Sequence, residues 1–437
     1  MTITNWGLYP RLKAEIHDLK GVGPALAWMQ SRPAVIARGL GRCYGDSSLA
    51  TAIVSTQTWQ RFLAFDVEAG VLTAESGTSL ADILEVIVPK GWFLPVTPGT
   101  KFVSLGGAVA SDIHGKNHHQ DGSFGHHVLT FDLLLASGDR LVCSRTENPE
   151  VFWATLGGMG LTGLVLTVTL QLKKIESATI VQTTLKAPNL EAVMDAFETN
   201  QSAPYSVAWI DCLASGDAQG RSVLMCGRHA LAQEVGQNPL AIRSKRTLTV
   251  PFSFPSGVLN RFSVKAFNAL YYAKAKSQVH SVDFDTFFYP LDAIHHWNRI
   301  YGKNGFTQYQ FVLPMAASKA GLKAILTRIN RAQLGSFLAV LKPFGAFQNP
   351  YLSFPMPGYT LALDFPLSEP VLALLDELDD LVRDFGGRLY LSKDVRMKPD
   401  MLVAGYPELS AFLAIKQRVD PDGVFQSLQS KRLGLTP

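Results

Sequence analysis

Two glycine-rich loops in the first quarter of the 437-residue chain constrain its fold more than any other feature. The first, Arg38 to Asp46, follows a short apolar run, Pro33 to Ala37, that is typical of a strand. The second starts at Thr97-Pro98-Gly99-Thr100 and continues from Ser104 to Ala108. Glycine lets a backbone approach a ligand closely, and successive N–H groups in such turns can converge on phosphate oxygens. Either loop alone could be a plain tight turn, but two in one domain favour a site for a dinucleotide pyrophosphate.

A third glycine cluster, Gly158 to Gly163, matches the G-x-G-x-x-G pattern, yet its context argues against a Rossmann fold. That fingerprint must follow a strand and open a helix. Here Pro149 to Thr155 has a helical pattern, and the strand-like segment, Leu164 to Leu172, comes afterwards. The sequence also lacks an acidic residue about 20 positions beyond the cluster, where one would bind a ribose. An NAD-type Rossmann domain is therefore excluded.

Beyond residue 175 strand-like and helical segments alternate, which favours a split α+β sheet. The clearest helix has Ser368 as its N-cap and Pro370 in its first turn, and Gly386-Gly387 ends it. We expect that helix to bury Val371, Leu374, Leu375, Leu378, Val382 and Phe385.

Composition and charge exclude several classes of protein. Hydrophobic residues make up 47% and charged residues 17%, so a large core is available and whole-chain disorder is excluded. A net charge of +4 is far from that of a dedicated nucleic-acid binder. Because the N-terminus lacks the pattern of a signal peptide and no apolar run reaches ~18 residues, we expect a soluble or peripheral protein. The scattered cysteines, interpreted as reduced thiols, favour a cytoplasmic one. The four cysteines, too few and too scattered for a disulfide framework, are Cys43, Cys143, Cys212 and Cys226.

One segment stands out by its charge. Between Glu234 and Asp283 no acidic residue occurs, and aromatic residues are interleaved with basic ones. The segment is either a solvated insert between two domain halves or a surface for anionic lipid or a phosphorylated apolar substrate. Its basic residues are Arg243, Lys245, Arg246, Arg261, Lys265, Lys274 and Lys276, and its apolar ones include Phe252, Phe254, Phe262, Phe267, Leu270, Tyr271 and Tyr272.

Five of the ten histidines occupy positions 114, 118, 119, 126 and 127. A His114/His118 pair would suit zinc only on a helix, and the glycines around it argue against a helix, so we predict no metal site. A polar loop beside a cofactor is the better interpretation. Lys393 directly follows a strand-like segment, and it is either a surface lysine or a buried cation that stabilises an anionic reduced cofactor.

These motifs together resemble the FAD-linked oxidases of the vanillyl-alcohol-oxidase type. The shared N-terminal motifs are RGLGRCYGD, TPGT, SLGGAVASDIHGKNHH, SFGHH and LGGMGLTG. The resemblance is closer to the decaprenylphosphoryl-β-D-ribose 2-oxidase branch and runs nearly end to end. The motifs that extend it are AWIDC, GFTQYQFVLP, LKPFG, PGYTLALDFP, FGGRLYLSKD and RVDPDGVF. Ala362 and Thr360 depart from that branch, because mycobacterial members have a reactive cysteine and an asparagine at these positions.

The resemblance implies an α+β protein of two lobes. Residues 1–175 would form a PCMH-type FAD-binding domain, and residues 176–400 a substrate domain with an antiparallel sheet covered by helices and a basic insert at 235–282. Residues 401–437 would return to the FAD domain. The FAD-binding residues it implies are Arg38, Gly39, Leu40, Gly41, Arg42, Cys43, Tyr44, Gly45, Asp46, Gly99, Ser104, Leu105, Gly106, Gly107, Ser111, Asp112, Ile113, His114, Gly115, Val165 and Tyr390.

Many relatives attach the flavin to a histidine two residues past a G-x-G. Here Arg42 and Cys43 follow Gly39-Leu40-Gly41, so we predict non-covalent FAD. Lys393 would stabilise charge on the flavin, and His114 and Gln310 would orient a sugar. The catalytic residues implied are Lys393, His114, Tyr44 and Gln310, and the substrate residues are Lys116, Trp209, Gln308, Gln310, Lys342 and Phe344.

The resulting hypothesis is an FAD-dependent oxidoreductase that oxidises the 2′-hydroxyl of a polyprenyl-phosphate pentose, the first step of epimerisation to the arabinose form. An NAD-dependent short-chain reductase would complete that epimerisation, and an anionic membrane surface, the inner face of the plasma membrane, would be a further partner. One alternative is an aldonolactone or alditol oxidase, similar to D-arabinono-1,4-lactone oxidase, that acts on a soluble sugar. Another is a non-catalytic flavin-binding or lipid-binding protein.

Overall fold

The computed structural model describes residues 1–243, 245, 247–255 and 257–436, so Arg246 of the basic segment lies outside the described residues. The strands are β1 (Thr2–Ile3), β2 (Leu12–Lys13), β3 (Glu15–Asp18), β4 (Ile36–Arg38), β5 (Ala52–Ser55), β6 (Phe62–Asp66), β7 (Val71–Glu75), β8 (Trp92–Phe93), β9 (Val128–Leu134), β10 (Arg140–Ser144), β11 (Leu164–Gln171), β12 (Lys173–Lys174), β13 (Thr179–Ala187), β14 (Tyr205–Ile210), β15 (Ser222–His229), β16 (Leu248–Thr249), β17 (Gln278–Asp283), β18 (Ile294–His295), β19 (Phe306–Pro314), β20 (Ala339–Phe344), β21 (Gly358–Pro366) and β22 (Arg388–Leu389). The α-helices are α1 (Val22–Gln30), α2 (Leu80–Ile87), α3 (Leu105–Ala110), α4 (His118–Asp121), α5 (Pro149–Thr155), α6 (Leu190–Thr199), α7 (Ala232–Val235), α8 (Arg261–Lys274), α9 (Phe284–Phe288), α10 (Met315–Ala332), α11 (Glu369–Asp384), α12 (Pro399–Gly405), α13 (Leu409–Val419) and α14 (Leu428–Arg432).

Two sheets of three or more strands form the main part of the N-terminal region, beside the two-stranded pairs β1-β2 and β8-β12. A parallel sheet has the strand order β3-β5-β4, and an antiparallel sheet has the order β10-β9-β11-β7-β6. The first glycine-rich loop leaves the carboxyl end of β4, and the second leads into α3. The G-x-G-x-x-G segment follows α5 and precedes β11, which is the reverse of a Rossmann fingerprint.

An eight-stranded antiparallel sheet dominates the rest of the chain, in the order β17-β13-β15-β14-β20-β21-β19-β22. It contains two split β-α-β units. In one, α6 connects β13 to β14 with β15 between them, and in the other α10 connects β19 to β20 with β21 between them. The α+β class predicted from the sequence, with a large antiparallel sheet covered by helices, is confirmed.

Local sequence explains why the main helices form where they do. The Ser79 side chain accepts the N–H of Asp82 at 3.0 Å and caps α2. Helix α11 begins after Ser368 with a proline in its first turn. Its apolar stripe lies against α10 and β19, and the buried residues on it include Val371, Leu374, Leu375, Leu378 and Val382.

The C-terminal segment packs back onto the N-terminal region. The N–H of Gln426 donates to the carbonyl of Val35 at 2.9 Å, and the N–H of Leu428 donates to that of Leu49 at 2.8 Å. Arg432 on α14 pairs with Asp46 at 2.9 Å and with Asp394 at 2.8 Å. One arginine near the C-terminus thus joins the end of the first glycine-rich loop to the residue after Lys393.

Described residues of the basic segment pack against the rest of the fold at several points. Strand β17 forms one edge of the large sheet, and Asn268 of α8 donates to Asp211 Oδ1 at 2.8 Å. Lys245 pairs with Asp283. Phe262, Phe267 and Leu270 of α8 remain exposed. Within the described residues, the helices are all too short or too polar to cross a membrane.

Candidate active site

A cavity of about 330 Å³ lies between the two glycine-rich loops and one face of the large sheet. Its N-terminal wall comprises the loop after β4 and the segment from Pro98 into α3. The opposite wall comprises side chains of β19, β20 and β21, and the turn after β22 adds Ser392 and Lys393. The cavity therefore gathers residues from distant parts of the chain.

The backbone of the first glycine-rich loop offers donors to this cavity. Within the described part of the chain, no hydrogen bond uses the amide N–H groups of residues 39 to 43. Gly41 has a φ of +63°, and a Cβ added there would lie 2.1 Å from Nη2 of Arg38. A Cβ on Gly39 would lie 1.9 Å from Oγ of Ser104 in the second loop. Only glycine permits this approach, and the free N–H groups form a cradle of the kind that binds phosphate oxygens.

The two arginines of the first loop have different surroundings. Arg38 is held by the N-terminal segment, because its Nη2 donates to the carbonyl of Thr4 at 2.9 Å and its Nη1 donates to Asn5. The Arg42 guanidinium lies 4.1 Å from the centre of the Trp6 ring. Arg42 makes no ion pair within the described residues. It is therefore the arginine available to an anion in the cavity.

Strand alternation puts polar side chains on the cavity side of the large sheet. Residues paired directly across antiparallel strands share a face. The pairs on this face are Gln308 with Asp364, Gln310 with Ala362, Val340 with Ala362, and Lys342 with Thr360. The alternate residues, such as Tyr309 and Leu361, are buried on the side covered by α10 and α11.

Lys393 and Asp364 occupy one end of this face. Lys393 Nζ lies 4.0 Å from the centre of the Tyr44 ring. Gln308 Nε2 donates to Asp364 Oδ1 at 2.5 Å and to the Tyr44 hydroxyl at 3.4 Å. Burial lowers the pKa of Lys393, although the charge of Asp364 opposes this, and burial raises the pKa of Asp364. Burial and the charge of Lys393 lower the pKa of Lys342 to about 7.

His114 is held as a neutral acceptor. Gln310 Nε2 donates to His114 Nε2 at 2.9 Å and to Thr360 Oγ1 at 3.2 Å. Burial first, and then the charge of Lys342, keep the pKa of His114 well below its usual range. Phe344 and Tyr390 pack against the imidazole, with ring centres 4.9 and 5.1 Å away. The Tyr390 hydroxyl donates to the carbonyl of Ser111 at 2.9 Å.

Most of the residues predicted for the site line this cavity. Those that line it are Arg38, Gly39, Leu40, Gly41, Arg42, Cys43, Tyr44, Gly99, Ser104, Gly106, Gly107, Ser111, Ile113, His114, Val165, Gln308, Gln310, Lys342, Tyr390 and Lys393. Those behind or beside the wall are Gly45, Asp46, Leu105, Asp112, Gly115, Lys116, Trp209 and Phe344.

The residues outside the wall have contacts of their own. Asp112 is buried and accepts bonds from Ser123 Oγ at 2.9 Å and from the N–H of Gly125 at 2.9 Å. Lys116 donates to the carbonyl of Phe287 and lies 4.4 Å from that ring's centre. Trp209 Nε1 donates to the carbonyl of Phe337 at 3.0 Å. Trp209 pairs with Val340 of β20 and so lies on the cavity face of the sheet, beside the cavity, whereas Asp112 and Lys116 are not among the residues that line it.

Sequence reasoning missed two acidic residues in the wall, Asp292 and Asp364. For Asp364 a signal existed, because Thr360, Ala362 and Asp364 alternate with apolar residues along β21. Asp292 lies on a single 3₁₀ turn, Pro290–Ala293, and its Oδ2 accepts the N–H of Lys101 at 2.9 Å. Periodicity offers no signal there.

Two family models match parts of the chain. An FAD binding domain model matches residues 20–144, and a D-arabinono-1,4-lactone oxidase model matches residues 306–433. The first contains both glycine-rich loops. The second contains the polar face formed by β19, β20 and β21, together with Lys393.

Curated relatives extend the similarity over nearly the whole chain. Decaprenylphosphoryl-beta-D-ribose oxidase of Mycolicibacterium smegmatis is 37% identical over 413 residues, which are 92% of this chain and 89% of that protein. L-gulonolactone oxidase of Scyliorhinus torazame is 34% identical over 119 residues, 27% of each chain.

The solved structure of a variant of Physcomitrella patens BBE-like 1 is similar in fold, with a TM-score of 0.65 and 16% identity over 94% of this chain and 89% of that one. The residues of the cavity also fit FAD. The glycine cradle, with its free N–H groups and Arg42, suits a pyrophosphate, while aromatic and polar side chains line the other end.

Proposed function

The chain belongs to the family of decaprenylphosphoryl-β-D-ribose oxidase, and we propose that it oxidises the 2′-hydroxyl of a polyprenyl-phosphate pentose. It is an FAD-dependent oxidoreductase acting on CH–OH groups. The proposal for the pentose rests mainly on the 37% identity that spans nine-tenths of both chains. FAD, when bound, supplies the acceptor for the hydride of the alcohol carbon.

We assign the chain's residues to three tasks. The free N–H groups of residues 39 to 43 and Arg42 bind the FAD pyrophosphate. Gln308 and Gln310, which both project amide groups from β19, hold sugar hydroxyls together with neutral His114. Lys393, which lies against the Tyr44 ring, supplies positive charge to stabilise the negative charge that develops on the flavin.

Lys342 suits the phosphate of such a substrate. It lines the cavity and forms no ion pair or hydrogen bond within the described residues. A half-buried cation without an anionic partner is costly unless a ligand supplies one. The phosphodiester of a polyprenyl-phosphate sugar carries a negative charge that could pair with Lys342. A neutral sugar lactone carries none.

A series of apolar side-chain contacts connects the cavity with the exposed face of α8. Leu338 lines the cavity, and its neighbour Phe337 lies 5.4 Å from the ring of Phe267. The outer side of α8 exposes Phe262 together with Arg261. We propose that the isoprenoid lies along these contacts and that the exposed face of α8 contacts an anionic membrane surface, the inner face of the plasma membrane. On this proposal an NAD-dependent reductase consumes the keto product.

Anaerobic bleaching of the bound flavin tests the proposal. A polyprenylphosphoryl ribose should bleach it at low concentration, and free ribose should not. D-arabinono-1,4-lactone and L-gulonolactone are the comparison substrates, because the lactone oxidase model matches residues 306–433. Faster bleaching by a lactone than by the lipid-linked pentose would replace the proposed substrate with a soluble one.

A further inference from the structure

Asp364 differs from most buried aspartates of this protein in how its charge is compensated. Arg432 pairs with both Asp46 and Asp394, and other buried aspartates also have basic partners. Those further pairs are Asp211 with Arg221, Asp379 with Arg396 and Asp420 with Lys416. Asp364 is only 2% exposed, yet within the described residues it forms no ion pair.

The groups that face Asp364 leave it able to change its charge. Gln308 donates to Oδ1 at 2.5 Å, and the hydroxyl of Tyr301 faces the same carboxyl. Tyr44 lies behind Gln308, and Lys393 is near enough for its charge to favour the carboxylate. Burial opposes that charge and raises the pKa of Asp364. A buried carboxyl balanced between these two influences is suited to proton transfer.

Two other titratable groups of the cavity, His114 and Asp292, are less able to accept a proton. His114 Nε2 already accepts from Gln310 at 2.9 Å, so protonation there would break that bond. The positive charges of Lys342 and Lys393 also oppose an imidazolium. Asp292 lies beside the second glycine-rich loop, where its Oδ2 accepts the N–H of Lys101. Asp364 instead shares the polar sheet face with Gln310 and Lys342.

We propose that Asp364 is a catalytic residue, the group that accepts the proton of the substrate hydroxyl. The O–H bond breaks, the proton passes to a carboxylate oxygen of Asp364, and the O–H electron pair forms the C=O bond. The C–H bond breaks in the same reaction, and its electron pair leaves as hydride to the bound FAD. The inference rests on the proposed function only for the identity of the alcohol.

The test compares the holoenzyme with Asp364→Asn and Asp364→Glu in anaerobic flavin reduction. We expect Asp364→Asn to keep its FAD and to reduce it about 100-fold or more slowly, and Asp364→Glu to recover part of the rate. In the wild type the rate should rise with pH, with a midpoint above the ~3.9 of an ordinary aspartate, because only the deprotonated carboxylate can accept a proton. That rise should be absent from Asp364→Asn.

A second measurement is independent of turnover. Infrared difference spectra of wild type minus Asp364→Asn should show a carboxylic-acid band that titrates above pH ~3.9. The Asp379→Asn protein, which lacks a buried carboxyl of α11 on the other side of the sheet, should keep this band. Two results would overturn the inference. One is an Asp364→Asn protein that reduces its flavin at the wild-type rate, and the other is a wild-type protein that shows no titrating carboxylic-acid band. Failure of the proposed function can be told apart from failure of this inference. If a lactone and not the lipid-linked pentose bleaches the flavin, the wild type and the Asp364 variants can still be compared with that lactone as substrate.

Discussion

Lys393→Met should slow flavin reduction by about 100- to 1,000-fold while FAD stays bound. The ammonium group is buried against the Tyr44 ring, 4.0 Å from its centre, and makes no ion pair within the described residues. At an effective dielectric constant of ~20, a unit charge ~4 Å from a developing charge contributes ~4 kcal/mol. The nearby Asp364 reduces this to about 3–4 kcal/mol, and each 1.36 kcal/mol corresponds to about a tenfold change in rate.

The assay is stopped-flow flavin reduction without oxygen, after absorbance has established equal FAD content. Lys398→Met is the matched control, since Lys398 lies five positions further on, has a side chain 63% exposed and pairs with Asp376 at the surface. In the wild type the rate should also fall at alkaline pH, with a midpoint below the ~10.4 of an ordinary lysine, because deprotonation removes the cation. A fully loaded Lys393→Met enzyme within about threefold of wild type, or with the alkaline fall intact, would refute the electrostatic role.

Three further predictions concern the cofactor, the tail and the membrane. Acid precipitation should leave the yellow flavin in the supernatant, and flavin retained in the pellet would contradict the non-covalent assignment made from Arg42. Arg432→Met should lower the free energy of unfolding by about 3 kcal/mol, because two buried carboxylates lose their partner, and chemical denaturation of the holoenzyme would measure this. Replacing Arg261 and Lys265 by Ser should weaken binding to anionic vesicles about tenfold at low salt, whereas the control Lys319→Ser on α10 should not. Equal binding by the wild type, the double variant and the control would show that α8 does not contact the membrane.

Much of the local structure could be predicted from the sequence because its causes are local. Ser79 and Ser368 stand at the starts of α2 and α11, and the spacing of Leu374 and Leu378 gives the buried stripe of α11. The split α+β sheet follows from the alternation of strand and helix patterns. The histidine loop was less predictable. Its glycines argued against a helix, yet a single turn forms at His118–Asp121.

The arrangement of the site depends on contacts between distant segments, which no local pattern encodes. Lys116 lies against Phe287 because α9 packs beside the histidine loop, so its position outside the wall could not be read from IHGKNHH. The alternation along β21 indicates that Asp364 shares a face with Thr360 and Ala362, but it does not say what that face contacts. Recognising it as part of the site requires knowing which face of the sheet points to the cavity.

Locating the oxidised carbon tests the central claim most directly. After a single anaerobic turnover of polyprenylphosphoryl ribose, the product should be trapped with borodeuteride and its sugar analysed by mass spectrometry and NMR. The account predicts one deuterium, at C2 of the pentose, and a sugar that has lost two hydrogens before trapping. Deuterium at another carbon, or unchanged substrate beside a fully bleached flavin, would contradict it.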